Sequence, residues 1–427
     1  MKRLISCHLC VGHIVIILSK ILVIEAVYSA AKETEIRGEE IKIASYDMIS
    51  RPSAQTTVRV GISVLAIDEL DLKNQKFSAA GWLSLEWDDS RIEWDPSAKD
   101  DIEEIFSKPA DIWKPELVID NSVENVGVIS NSDLYLRVKS TGVVEWEPPM
   151  LFVTHCEVDI TYYPYDKQSC SINIVSWGYT KDEITLGTLS TPVNLVDFEK
   201  HGQWEILSSR AEKSELTEIL EDGSTRKFPQ IAFWLNLRRR SNFYNLNVVM
   251  PVFLTSLLVA LTFIVPLDSG EKLSYILTVF LAITVLLTLV ADSMPPTSIS
   301  TSVLGLYLAI VTVLAAFGIL LTVIVLILFH KDGSPESQSL AMRIIWFAAK
   351  TTCASSVLRK RNINRVKPME DEDGKSEEAV DTVYEADWKE VAAILDRFCF
   401  MIFSIVTVVM NVSFVVALTA GGKTSDP

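Results

Sequence analysis

CEVDITYYPYDKQSC, from Cys156 to Cys170, places two of the chain's six cysteines around a Tyr163-Pro164-Tyr165-Asp166 centre. A proline followed by aspartate favours a tight reversal, because the ring fixes φ and the carboxylate bonds nearby backbone N–H groups. A bridge between these cysteines closes a small loop whose tip carries aromatic and charged side chains. Such a loop is either a local staple or a surface that presses on another region of the molecule, and the surrounding chain has to decide between the two.

The amino terminus reads MKRLISCHLCVGHIVIILSKILVIEAVYSAAK, with Lys2 and Arg3 ahead of an apolar run and then small residues. That order predicts a secretory signal over residues 1–30, cleaved between Ala26 and Ala30, and puts the mature amino terminus outside the cell. Cys7 and Cys10 fall in this signal, and Cys353 and Cys399 fall in or near the membrane region described next. Only Cys156 and Cys170 are left in an oxidising compartment, where one disulfide between them is expected.

Hydrophobic residues make up 49% of the 427 and are concentrated in runs. Leu246–Val265, Leu273–Ala291, Val303–Phe329 and Phe398–Leu418 are each near the length needed to cross ~30 Å of hydrocarbon. Charge is segregated as well: residues 31–241 carry 37 acidic and 23 basic side chains, a net of −14 within the chain's −16. A domain of that sign concentrates cations by its field and argues against a nucleic-acid partner.

Between residues 40 and 241 short alternating runs recur, among them VRVGISVLAI, FSAAGWLSLEW, CSINIVSW and IAFWLNLRR, separated by Pro, Gly, Asn and Asp. They predict an antiparallel β-sandwich over 31–241, with a hairpin tip at Asp222-Gly223. The fold class expected is α+β: a multi-domain membrane protein in which this sandwich sits outside and four helices cross the bilayer. Residues 242–330 then hold the first three spans, 331–395 are cytoplasmic, and 396–427 hold the last span and an outer carboxyl terminus. The basic residues Lys350, Arg359, Lys360, Arg361, Arg365 and Lys367 lie on the inner side, as the positive-inside rule requires. Arg238, Arg239 and Arg240 lie outside against it, which assigns them a task. In the inner segment, SLAMRIIWFAAKTTC and DTVYEADWKEVAAILDRF read as helices, the second running into the last span. MEDEDGKSEE between them reads as an acidic linker. An Asn-x-Ser at Asn411 falls within the last span.

On a helix at about 100° per residue, Glu271, Ser274, Thr278, Leu281, Val285, Leu289 and Asp292 fall within an arc of about 80°. Hydroxyls occupy its cytoplasmic half, aliphatics its outer half, and a carboxylate closes each end. A stripe of small polar groups also suits packing between helices. Charges beside the bilayer need water or partners, however, and a water-filled pore lined by several copies provides them. Rings of Glu271 and Asp292 then attract cations, and Leu281 with Val285 forms a dry collar that gates by dewetting.

A secreted sandwich, a Cys-x13-Cys loop holding Tyr163, Pro164, Tyr165 and Asp166, four spans and a Ser274/Thr278/Leu281 stripe together resemble the Cys-loop pentameric ligand-gated ion channels. The likeness is closest to nicotinic acetylcholine receptor subunits. It runs from about residue 40 to 330 and includes VSWGYT, RRRSNFYNLNVVMP and SGEKLSYILTVFLAITVLLTLVADSMPPTS. The resemblance implies a pentamer, homomeric by preference with a heteromer as the other option, and permeant monovalent cations. It also implies that Tyr163, Pro164, Tyr165 and Asp166 meet the membrane domain together with Asp71, Arg239 and Pro295. It assigns agonist contact to Trp177 on one subunit face, Trp82 on the next, and Phe228 in the covering hairpin, where cations sit over π faces. The Pro-Ala-Arg turn of the family's anion channels is absent ahead of the pore span.

The departures bear on the agonist. Asp120 stands where nicotinic subunits carry a tyrosine, and EKSELTEILEDGSTRKF lacks the adjacent cysteine pair of the alpha-type subunits. Glu145 and Glu147, two apart on a strand, share one face and are either a solvated surface or a lining of the complementary side. If they face the site with Asp120 opposite, a primary amine or metal cation suits it better than a quaternary ammonium. The leading function is an agonist-gated cation channel in the cell membrane; a non-gating accessory subunit is the alternative. An anchored enzyme finds no support, since the histidines are scattered and neither metal spacing, cofactor motif nor nucleophile motif occurs.

Overall fold

The structure, a computed structural model, describes residues 29–42, 46–124, 127–129, 133–296, 300–333, 359–364, 380–385 and 387–424. The predicted signal up to residue 28, the helix predicted in SLAMRIIWFAAKTTC and the acidic linker lie outside the described residues. A short helix not foreseen from the sequence, α1 (Ala30–Ile36), opens the described chain, its first turn capped by Ser29.

The outer domain is a sandwich of two sheets. The seven-stranded sheet comprises β1 (Thr56–Asp71), β2 (Lys76–Asp88), β3 (Glu104–Ser107), β5 (Leu136–Lys139), β6 (Val143–Trp146), β7 (Pro149–His155) and β9 (Ile184–Asn194). The four-stranded sheet comprises β4 (Leu117–Ile119), β8 (Lys167–Ser176), β10 (Trp204–Ile219) and β11 (Thr225–Arg239). Alternation drives the assembly. Val58, Val60, Ile62 and Val64 of β1 and Leu83, Leu85 and Trp87 of β2 point inward, where they meet Ile172, Ile174, Phe233 and Leu235 from the other sheet. Trp113, Trp146 and Trp204 are also fully buried, so large aromatics fill the space between the layers. One pairing departs from the all-antiparallel expectation: β1 and β9 run parallel. Gly81 is required by packing, since a Cβ there would lie 1.9 Å from the Ser63 carbonyl oxygen beside the bulge in β1.

Among the described residues, four helices are long and apolar enough to cross a membrane: α2 (Asn242–Ile264), α3 (Lys272–Asp292), α4 (Val303–Phe329) and α5, whose spanning portion is Trp388–Gly421. Their bounds overlap the four apolar runs, and α5 is longer at its amino-terminal end, as the sequence reading of a helix running into the last span expected. That reading started the helix too early. Val380–Glu385 is a strand paired antiparallel with Arg359–Asn364, because residues of a hydrogen-bonded ladder override a local helical period. Asn411 is buried between helices, accepting from Tyr307 Oη at 2.6 Å and lying 3.2 Å from Ser256 Oγ, which explains a polar group in the middle of a span.

Candidate functional site

Cys156 and Cys170 are bonded, with Cα atoms 5.1 Å apart. The loop they close is no isolated staple. Tyr165 Oη donates to Asn245 Oδ1 of α2 at 2.6 Å, the Tyr163 and Tyr244 rings meet edge-on at 5.5 Å, and the Thr161 carbonyl accepts from the Val303 N–H at the start of α4 at 2.9 Å. Tyr163 and Pro164 are buried at this junction. Burial of the Tyr163 phenol pushes its pKa above the ordinary value.

Asp166 and Arg239 form the centre of the junction. Arg239 Nε donates to Asp166 Oδ1 at 2.7 Å and a second guanidinium nitrogen to Oδ2 at 3.1 Å, and the two side chains are 3% and 1% exposed. Gln168 Nε2 supplies a further donor to Asp166 at 2.7 Å. The guanidinium also packs over the Trp204 ring at 4.2 Å and donates to Tyr244 Oη at 3.1 Å. Burial works against its charge, but the Asp166 hydrogen bonds and field outweigh that and hold its pKa above the ordinary value. The against-the-rule arginine thus has a buried anion, while its neighbour Arg238 pairs with Glu205 at the surface.

Asp71 acts on the junction indirectly. Its carboxylate accepts from Asn74 N at 3.1 Å and Asn74 Nδ2 at 2.6 Å, closing the turn between β1 and β2. Slight burial raises its pKa, and the Asn74 hydrogen bonds more than reverse this, leaving it below the ordinary carboxylate value. The turn presents Lys73, whose ammonium lies 3.5 Å from Asp292 Oδ1 at the outer end of α3. Pro295, Met294 and Ile160 line the same recess as Lys73. Asp292 is therefore not a lone carboxylate at that end, although 81% of its side chain is exposed.

All seven stripe residues of α3 are exposed in the single chain, from Glu271 through Ser274, Thr278, Leu281, Val285 and Leu289 to Asp292. The buried residues of this helix are Lys272, Ile276, Val279, Ile283 and Val290, which lie on the opposite side. The helix is thus seated against its neighbours by one face while the stripe is left without intrachain cover. Thr278 Oγ1 donates to the Ser274 carbonyl at 2.9 Å. Its proton is spent inside the helix, so the hydroxyl oxygen offers lone pairs outward, which suits a cation.

The ligand candidates fall into two sets on different sheets. On the first, Trp82 on β2 is half-buried, and outward-facing Ser84 donates to Glu147 at 3.2 Å. Glu145 of β6 lies opposite Glu86 of β2 and pairs with Lys139 at 2.6 Å, and Glu147 follows it by two residues, just past the end of the strand. Trp82, Glu145 and Glu147 therefore share one face, but the Glu145 charge is compensated. On the second sheet, Trp177 follows β8 with 59% of its surface exposed, anchored by its N–H to the Glu116 carbonyl at 3.0 Å. Asp120 accepts from Gln230 Nε2 at 3.2 Å, and Phe228 lies two residues before Gln230 on β11. The hairpin turns at Asp222-Gly223 as expected, Gly223 adopting φ 81°. Sequence reading missed Glu215, which binds Lys181 and, at 3.1 Å, Lys227, and so ties the hairpin to the strand-end segment after Trp177. The Lys181 N–H to Lys227 carbonyl bond at 2.8 Å completes that tie. Its only sequence signal was an acid diagonal to a base across a predictable hairpin.

Residues 40–241 match the family model described as the neurotransmitter-gated ion-channel ligand binding domain, and residues 248–360 match that of the neurotransmitter-gated ion-channel transmembrane region. The chain belongs to the neurotransmitter-gated ion-channel family. It is 31% identical over 297 residues to the neuronal acetylcholine receptor subunit alpha-2 of Gallus gallus, covering 69% of this chain and 56% of that protein. It is 31% identical over 332 residues to the acetylcholine receptor subunit beta of Rattus norvegicus, covering 74% and 66%. Against the human alpha-2 subunit the identity is 30% over 310 residues, covering 72% and 58%. The matches thus span between 56% and 66% of the length of these relatives. As a neurotransmitter-gated channel protein with four spanning helices it is a membrane protein, and the family is one of channels rather than enzymes. The matched binding region contains both tryptophan-centred sets, and the matched transmembrane region contains the whole α3 stripe.

Proposed function

We propose that the chain is a subunit of a cation-selective channel in the plasma membrane, opened by an extracellular amine-like or cationic agonist bound between neighbouring copies. The sandwich of 31–241 lies outside, residues 242–330 and 396–427 cross the bilayer, and 331–395 face the cytoplasm. A homopentamer is the preferred assembly, because one chain carries both tryptophan sets, on different sheets, and neighbouring copies could each supply one of them to a shared site. The observation that carries the reading is the α3 stripe, exposed from Glu271 to Asp292 while the opposite face is buried. Copies arranged around an axis would turn these stripes toward one water-filled path, with Leu281 and Val285 as its dry gate.

Glu271 at the inner mouth is assigned the larger share of selectivity, because low-dielectric walls around a narrow throat weaken screening. Asp292 is shared with Lys73 and serves as a concentrator of monovalent cations. Reversal potentials under salt gradients test this: Glu271→Ala is expected to lower the cation-to-anion permeability ratio far more than Asp292→Ala. Anion-selective current in the parent, or an undiminished ratio in Glu271→Ala, would overturn the assignment.

For the agonist site, Trp177→Ala and Trp82→Ala are each expected to weaken agonist response by roughly tenfold or more, as loss of a desolvated aromatic contact does. Subunits carrying one change each, expressed together, should regain some of the response, since some interfaces then keep both rings. Unaltered responses in both single variants would move the site elsewhere. The pairing of Glu145 with Lys139 and of Asp120 with Gln230 supports a second reading, a non-gating accessory subunit, because it leaves fewer free acids for a cationic ligand. Current from the chain expressed alone separates the two.

A further inference from the structure

Lys272 directly follows Glu271 and begins α3. If both side chains faced a permeation path, their charges would cancel at its inner mouth. A step of about 100° separates neighbours on a helix, and here it separates water from core: Glu271 is exposed, whereas Lys272 is 0% exposed. The Lys272 ammonium is bonded to the Asp396 carboxylate of α5, donates to the Val265 carbonyl at 3.2 Å and lies 5.5 Å from the Phe263 ring centre. Asp396 is itself buried. A buried ammonium persists only where it is paired, and the partial positive charge of a helix N-terminus adds to its cost. The direction in which Lys272 points therefore depends on an anion 124 residues away in the sequence.

We infer that Asp396 is a positioning residue for ion conduction: it holds the Lys272 ammonium behind the pore wall and leaves the Glu271 carboxylate uncompensated at the inner mouth. This rests on the reading of Glu271 as the selectivity residue. Without the Asp396 charge, Lys272 keeps a single carbonyl partner. Its flexible stem lets the ammonium snorkel toward water, and its sequence neighbour Glu271 is exposed. There it neutralises the carboxylate on which cation passage depends.

The test is single-channel recording from the full-length chain with Asp396→Asn, the double variant Lys272→Gln/Asp396→Asn, and Glu271→Ala alongside. Asp396→Asn is expected to lower inward cation conductance by roughly twofold or more, with a lower cation-to-anion permeability ratio, because a charge moves into the throat. The double variant is expected to return both to the parent values. A contribution of the pair to folding alone would not move current per open channel. Parent-like conductance in Asp396→Asn, or a double variant as low as the single, overturns the inference. Where Asp396→Asn yields no channels, the double variant decides: parent-like conductance supports the inference, and a departure beyond about twofold overturns it. A permeability ratio unmoved by Glu271→Ala sinks the reading of the selectivity site and this inference with it. A shift in Glu271→Ala with none in Asp396→Asn sinks the inference alone.

Discussion

Asp166→Asn destabilises the assembled protein by about 3–5 kcal/mol, the cost of leaving a buried guanidinium without its anion. The size follows from the geometry: Arg239 and Asp166 meet through two hydrogen bonds with 3% and 1% of their side chains exposed, so water cannot replace the lost partner. Asn keeps the shape and one acceptor but removes the charge that holds the guanidinium above its ordinary pKa. Removing both partners, as in Asp166→Leu/Arg239→Met, is expected to cost far less, since no uncompensated charge then remains. Thermal melting of the detergent-purified protein, followed by tryptophan fluorescence, measures both. Equal losses in the single and double variants would show that packing, not charge, carries the junction. Because Arg239 also donates to Tyr244 Oη of α2, channels formed by the single variant should need more agonist to open.

Cys156→Ser gives the second largest loss, about 3 kcal/mol in the chain-entropy account of a loop of this size. The bridge joins cysteines 14 positions apart, and between them lie Thr161, Tyr163, Tyr165 and Asp166, each in contact with a spanning helix or with Arg239. Opening the loop therefore enlarges the freedom of the segment that joins sandwich to spans, and surface assembly should fall with stability. Cell-surface labelling of the variant and peptide mapping of the parent check this. A parent with both thiols free, or a variant that assembles and melts as the parent does, would remove the prediction.

Much of this architecture was legible from local pattern. The alternation in VRVGISVLAI and FSAAGWLSLEW marked strands because inward and outward positions repeat every second residue. The apolar runs marked spans because the bilayer has a set thickness. The α3 stripe could be drawn from helical geometry alone, and all seven of its residues are exposed where its opposite face is buried. Asp222-Gly223 announced its hairpin through the φ that glycine tolerates.

What the sequence by itself determined, then, is the class of fold, the cysteine pair, the four apolar helices among the described residues and the exposed face of α3. Only the tertiary structure decided which charges are free. Glu145 is held by Lys139, Asp120 meets Gln230, Lys73 reaches Asp292, and Lys272 of α3 is buried against Asp396 of α5. It also decided that β1 and β9 run parallel and that Val380–Glu385 is a strand. The physical reason is common to all of these. A period of two or 3.6 residues reports which side of its own element a residue occupies, whereas a charge partner or a strand neighbour comes from elsewhere in the chain. Its arrival depends on register and packing that no local pattern encodes.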